Sequence, residues 1–73
     1  MYTYFINMNA QSNGDHEIHK STCIYYNLYK AGNNFVDLGI FLSDAEAIVY
    51  AKNKYPYWTV DGCYRCCPSK HRR

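Results

Sequence analysis

The stretch FVDLGIFLSDAEAIVYAKNKY, from Phe35 to Tyr55, decides the fold. Its first part, Phe35 to Leu42, is rich in apolar and β-favouring residues and predicts a strand. Ser43 and Glu46 then form the S-x-x-E pattern of a capping box. An apolar-periodic run follows them, which places on one face of a helix the residues Ala47, Ile48, Ala51 and Tyr55. The pattern predicts a helix from Ser43 to Tyr55, and Pro56 ends it because proline cannot continue a helix. A strand that leads into an amphipathic helix indicates an α+β domain.

The segments on either side of this stretch add strands. Tyr2 to Asn9 alternates loosely and predicts a strand, and the QSNGD turn from Gln11 to Asp15 favours a hairpin that returns through His16 to His19. Cys23 to Tyr29 is apolar and aromatic but of ambiguous type, and Tyr57 to Val60 is a candidate short strand. We therefore expect a small antiparallel sheet of about three strands with one helix packed on it.

The length sets a stability problem. A chain of 73 residues forms one domain, which we assign to residues 1–73. A domain of this size buries only about 60% of its unfolded surface, so its core alone gives marginal stability. Small domains therefore often carry disulfides, a metal or a partner subunit. The four cysteines of this chain make the first two solutions available.

The N-terminal sequence bears on the compartment. Met1 to Ala10 contains no Lys or Arg, and Asn7 and Asn9 interrupt its apolar positions, so it does not fit a signal peptide. No segment approaches the ~20 apolar residues of a membrane helix. We expect a cytoplasmic protein that does not engage the membrane, in which stable disulfides are rare and cysteines serve as metal ligands or redox thiols.

Two short pairs of cysteine and histidine predict a zinc site. His19 and Cys23 are separated by three residues, and Cys63 and Cys66 by two, so that a turn can aim both members of each pair at one ion. Gly62 directly precedes the second pair, as expected for a tight turn into a cysteine knuckle. One His and three Cys would complete a tetrahedron with no position left for water. This set predicts structural zinc and not a catalytic centre.

Other interpretations of the same residues stay open. Cys67, His71 or His16 could replace a member of the quartet, since Cys67 and His71 are also separated by three residues. The cysteines could instead be buried as small apolar side chains without any metal. A weaker alternative is thiol redox activity at Cys63 and Cys66, because C-x-x-C motifs serve that chemistry when a helix N-terminus lowers the thiol pKa.

The order of motifs resembles a known family. An H-x-x-x-C pair, a strand, a helix that starts SDAEA and a C-x-x-C pair are similar to the metal-binding module of the bacterial Ada-type methyl-phosphotriester repair proteins, over about Glu17 to Cys67. The resemblance implies zinc at Cys23, Cys63 and Cys66, with His19 in place of the family's first cysteine. The segment between the pairs is longer here, and residues 59–62 (TVDG) stand where the family has arginines and a glycine.

Charge and aromatic content suggest two kinds of partner. The segment after Asp61 contains four basic residues and no acidic one, and it ends in a basic tail at residues 68–73. The basic residues are Arg65, Lys70, Arg72 and Arg73. Together with rings such as Tyr64 and Trp58 they suggest a nucleic-acid surface. The nine tyrosines suggest instead a protein partner or a homodimer through exposed rings. Sequence reasoning favours a non-enzymatic zinc module that binds nucleic acid, with a metal-free protein-interaction module as the alternative.

Overall fold

Residues 1–71, the part of the chain that the computed structural model describes, form a mixed sheet of four strands with two α-helices. The elements in chain order are β1 (Tyr2–Asn7), β2 (Asp15–Lys20), α1 (Ile24–Tyr29), β3 (Phe35–Phe41), α2 (Asp44–Lys54), β4 (Thr59–Gly62) and a short 3-10 helix at Pro68–Lys70. The strand order across the sheet is β3-β1-β2-β4. The predicted α+β class is therefore confirmed.

The direction of the last strand corrects the expected sheet. β1 pairs antiparallel with both β2 and β3, as a hairpin and its neighbour should, but β4 pairs parallel with β2. The sheet is thus mixed and has one strand more than the three that were expected. The C-terminal segment runs parallel because the chain crosses over through α2 before it returns to the edge of β2, and a short strand pattern carries no information about that direction.

Helix α2 follows the sequence prediction closely. The Ser43 hydroxyl accepts a hydrogen bond from the Glu46 amide at 3.2 Å, while the Glu46 carboxylate accepts from the Leu42 amide at 3.1 Å. The reciprocal bond of the capping box is therefore made one residue earlier than usual. Ala47, Ile48 and Ala51 are buried against the sheet, as the periodicity predicted.

The other helix resolves the ambiguous segment. Cys23 is the N-cap of α1, none of whose residues is fully buried. Its Tyr26 ring stacks on Phe5 of β1, with centroids 4.4 Å apart. Six residues make a marginal helix by themselves, so the packing of aromatic rings supplies its stability. Helix α1 lies on the sheet face that Phe5 presents, opposite the face that Tyr4 and Ile6 turn toward the main core.

The main core is small and contains a polar anchor. Its buried members are Tyr4, Ile6, Ile18, Leu38, Ala47, Ile48, Ala51, Val60 and Cys67. The Tyr4 hydroxyl donates to Asp44 Oδ1 at 2.5 Å and so ties β1 to the first turn of α2. Burial and this bond to a carboxylate both raise the pKa of Tyr4, which keeps the hydroxyl a donor.

Gly62 has a different role from the one that the sequence suggested. It is the last residue of β4, and its φ is not among the positive glycine values, which belong to Gly14 and Gly39 in the described chain. A Cβ at this position would lie 3.0 Å from the Cys67 carbonyl oxygen. Glycine therefore suits this position because the chain that follows packs closely against it, so that a side chain would force its neighbours to shift, and not because a turn needs left-handed backbone.

One further observation concerns membranes. Among residues 1–71, no helix has the length and apolar character that a bilayer crossing requires.

The cap of α2 gives a test of the fold. Ser43→Ala removes the acceptor for the Glu46 amide, and we expect the free energy of unfolding to fall by about 1 kcal/mol. Urea denaturation followed by circular dichroism measures this change. Ser12→Ala, in the exposed turn between β1 and β2, is the matched control and should change stability by less than about 0.5 kcal/mol. Equal effects of the two substitutions would contradict the capping role.

Candidate metal centre

The parallel pairing of β2 and β4 brings the two predicted ligand pairs together. His19 lies near the end of β2 and Cys23 caps α1 just beyond it, while Cys63 directly follows β4. The Cys63 amide donates to the Ile18 carbonyl at 3.0 Å, so the strand pairing extends to the first knuckle residue. The chain then turns at once, and the Cys67 amide donates back to the Cys63 carbonyl at 2.8 Å. This turn places Cys66 beside the other three ligands.

The distances in the cluster are compatible with a bound metal ion. One donor atom from each of His19, Cys23, Cys63 and Cys66 lies within 4.8 Å of all the others. The Cys23 and Cys63 sulfurs are 3.9 Å apart, and His19 Nδ1 is 3.6 Å from the Cys23 sulfur. Ordinary zinc bond lengths at a tetrahedral angle require about 3.8 Å between two sulfurs and about 3.6 Å between sulfur and nitrogen. The two measured separations therefore suit zinc without rearrangement.

The surroundings of the cluster orient its ligands. Cys63 is fully buried, and His19 and Cys23 are each no more than 5% exposed. Because His19 Nδ1 faces the sulfurs, its Nε2 is free to face the Glu17 carboxylate, 3.6 Å away. The Lys20 amide points at the Cys66 sulfur at 3.4 Å. A carboxylate behind a histidine and an N–H group on a thiolate are the outer contacts that metal sites commonly use.

Without a bound metal, the thiols of Cys63 and Cys66 have raised pKa values. The hydrogen bond with Cys66 and burial raise the pKa of Cys63 to about 11, although amides of the knuckle lower it in part. The hydrogen bond with Cys63 lowers the pKa of Cys66, but Cys67 and burial outweigh it, and the net value is about 12. A redox cysteine needs the opposite shift. A bound metal would instead remove these protons outright.

The donor set indicates the kind of metal site. Three thiolates and one imidazole are soft and borderline ligands that select zinc over Mg²⁺ or Ca²⁺. Four protein ligands at a buried position fill a tetrahedron. The cluster can therefore hold a metal ion as a closed, structural site.

The residues considered as replacement ligands have other contacts. Cys67 belongs to the hydrophobic core, and its sulfur is 3.7 Å from that of Cys66. His16 stacks on Trp58 with ring centroids 3.8 Å apart and bonds the Asn7 carbonyl. His71 belongs to a different group, with Glu17 and Asp61. The structure thus brings together the four residues first proposed, and Cys67, although next to Cys66, is not part of that group.

The predicted nucleic-acid residues are placed only in part. Arg65 is exposed, Lys70 is half-buried in the 3-10 helix, and Arg72 and Arg73 lie outside the described residues. Tyr64 is 56% exposed, and its hydroxyl is 2.6 Å from that of Tyr25. Trp58 does not offer a free face, because it stacks between His16 and Tyr55. The expectation that Trp58 stacks on bases is therefore wrong.

Sequence reasoning missed a cavity on the α1 side of the sheet. It has a volume of about 470 Å³, and its floor includes Glu17 and His19 from β2. Tyr25, Tyr64 and His71 contribute to its walls. The signal in the sequence was the spacing of Glu17 and His19, which are two apart on a strand and so share a face.

Glu17 stands out within this cavity because it is a carboxylate that is only 9% exposed. Burial raises its pKa, and although Gln11 opposes this by hydrogen bonding, the neighbouring Asp61 charge adds to the rise.

Comparison with known proteins gave no relative. No family description matches the chain, and neither a curated protein nor a solved structure is similar to it at a significant level.

Metal removal tests the site. We expect the purified protein to carry one zinc ion, and a strong chelator should lower its Tm and its resistance to urea, since the ligands converge only in the folded chain. Native mass spectrometry counts the ions, and thermal denaturation with and without chelator measures stability. Cys63→Ser should abolish stoichiometric zinc.

The control for this test is Cys67→Ala, which removes a neighbouring buried thiol. It should cost some packing energy but retain one zinc ion per chain. Loss of zinc from this variant, or an identical Tm with and without chelator, would refute the assigned ligand set.

Proposed function

We propose that this protein is a non-enzymatic binding module built around a structural zinc ion at His19, Cys23, Cys63 and Cys66. The observation that supports this proposal is the buried convergence of one imidazole and three thiols, at separations that suit tetrahedral zinc. A closed tetrahedron leaves no coordination position for a substrate, so zinc here serves the fold. The proposal also draws on the resemblance to the Ada-type metal-binding module, in which His19 would stand at the position of the first ligand.

A metal at this position would join segments that are far apart in the chain. Cys23 and Cys63 are 40 positions apart in the chain, and a cross-link over such a loop removes about 4 kcal/mol of unfolded-state entropy in the chain-entropy description. The whole stability expected for a chain of this length is about 4–11 kcal/mol. The metal would therefore supply a large share of the cohesion that a small core lacks.

For the partner, we propose single-stranded nucleic acid, bound at the knuckle that follows β4. Tyr64 and Arg65 lie inside the C-x-x-C turn and are exposed, so an ordered metal site would hold a ring and a cation at fixed positions. Lys70, Arg72 and Arg73 follow in the same basic segment. Rings that stack on bases beside cations that contact phosphates are the usual means of binding single strands without strong sequence preference.

Salt dependence tests this partner. Four phosphate contacts predict a slope of log affinity against log salt of about −2.8, and Arg65→Ala with Lys70→Ala should reduce its magnitude by about 1.4. Fluorescence anisotropy with a labelled single-stranded oligonucleotide measures both values. The paired control is Lys52→Ala with Lys54→Ala, which removes two exposed lysines from α2 and should leave the slope unchanged.

The second candidate function is protein association without a required metal. Ile40 of β3, an edge strand of the sheet, is 65% exposed, Leu42 just after this strand is 69% exposed, and Val49 of α2 is 59% exposed. The exposed tyrosines, in contrast, are spread over separate elements, with Tyr2 on β1 and Tyr29 on α1. Self-association that persists at high salt and after chelation, in a protein that shows no binding to oligonucleotides, would favour this candidate over the nucleic-acid module.

A further inference from the structure

The cavity on the α1 side of the sheet has a wall of aromatic rings. Its volume of about 470 Å³ lies within the roughly 300–1,000 Å³ that is typical of small-molecule sites. Tyr25 and Tyr29 line it from α1, with their rings stacked and the centroids 6.1 Å apart, and Tyr64 lies 5.7 Å from Tyr25. Tyr29 and Tyr64 are both more than half exposed. Such rings offer a planar ligand a surface on which to stack.

The position of this wall depends on the cysteine cluster. The hydroxyls of Tyr25 and Tyr64 are 2.6 Å apart and so connect α1 to the knuckle. Cys23 caps α1, and Cys63 directly precedes Tyr64, so that an ion bound by both cysteines would hold the two halves of the wall together. A wall that is fixed before the ligand arrives lowers the entropic cost of binding.

Glu17 gives the floor of the cavity a hydrogen-bond acceptor. It is only 9% exposed, its carboxylate accepts a hydrogen bond from the Gln11 side chain, and its Oε1 is 3.6 Å from His19 Nε2. A carboxylate has about four lone-pair positions, so these two neighbours leave room for two further N–H donors. The ligand that fits is therefore planar and presents two adjacent N–H groups on one edge.

The charges beside the cavity indicate what else the ligand carries. Tyr64 and His71 line the cavity, and their chain neighbours Arg65 and Lys70 are cations. An ammonium or guanidinium ligand would suit the rings and Glu17, but these cations would repel it. A nucleotide instead brings its base to the carboxylate and its phosphate to the cations.

We propose that this cavity holds one unstacked guanine base of a bound single strand. Guanine presents two adjacent donors, N1–H and the 2-amino group, on its Watson–Crick edge, and Glu17 would accept both while the tyrosines stack on the ring. Each of the other bases has an acceptor next to its donor on this edge. The assignment rests on the proposed function and adds to it a preference at one position, since rings alone accept any base.

A pair of bases that differ in one donor tests the assignment. Hypoxanthine lacks only the 2-amino group of guanine. Fluorescence anisotropy with zinc-loaded protein compares a labelled thymine oligomer that carries one central guanine with the same oligomer carrying hypoxanthine. We expect the guanine oligomer to bind at least tenfold more tightly, because hypoxanthine leaves an oxygen of the buried carboxylate without its donor. Glu17→Gln should abolish this difference, and native mass spectrometry should show that the variant retains one zinc ion.

Matched substitutions separate the cavity from the general surface. Tyr29→Leu removes a ring from the wall and should weaken binding of the guanine oligomer about tenfold. Tyr57→Leu removes a ring that is 98% exposed and lies outside the cavity, so it should leave the affinity unchanged. Asp37→Asn removes an exposed carboxylate from β3 and should preserve the preference for guanine.

Three results would overturn the guanine assignment. One is equal affinity for the guanine and hypoxanthine oligomers, and another is a preference that survives Glu17→Gln. The third is binding of free guanosine monophosphate at least as tight as that of the guanine oligomer, which would assign the cavity to a free nucleotide.

The same measurements separate a failure here from a failure of the proposed function. Oligomer binding that depends on Arg65 and Lys70 but shows no base preference would overturn the guanine assignment alone. A guanine preference that depends on Glu17, in a chain that takes up no zinc, would instead refute the structural zinc and support the cavity.

Discussion

The parallel pairing of β2 with β4 is the constraint on which the rest of this small protein depends. It joins the last strand of the chain to the N-terminal hairpin, and the cysteine cluster is built across it. The cysteine cluster lies where the two strands end, with His19 and Cys23 after one and Cys63 after the other. The Glu17 and Asp61 side chains lie on facing positions within the pair. A shift of one residue in this register would separate the His19 and Cys23 pair from the Cys63 and Cys66 pair.

Local sequence patterns predicted the parts of the fold that local physics determines. The cap at Ser43, the buried Ala47, Ile48 and Ala51 face, and the β1–β2 hairpin depend on neighbours a few positions apart, and all were predicted. The parallel direction of β4 was not predicted. It depends on the route that the chain takes through α2, between Phe41 and Thr59, before it pairs with β2. The role of Gly62 was misjudged for the same reason: the atoms that exclude a Cβ belong to residues beyond the knuckle.

The candidate sites show the same division. The cysteine quartet was predicted because both of its pairs are short-range motifs whose spacing already suits one ion. The cavity beside it was missed because residues such as Glu17 and Tyr64 are far apart in sequence and come to line one space only through the fold. The basic residues after Asp61 were visible as charge, yet charge alone could not reveal that Lys70 is packed in a 3-10 helix while Arg65 is exposed. Trp58 was assigned a surface role that its two ring partners preclude.

The position of β2 inside the sheet has a consequence for the chain during its synthesis. Until Thr59–Gly62 have been made and docked, β2 is an outer strand, and its unpaired amides and carbonyls are open to other chains. Ile18, which packs with Val60 in the core, then lacks that contact. Nascent molecules in which β4 has not yet docked would therefore be expected to aggregate or be degraded.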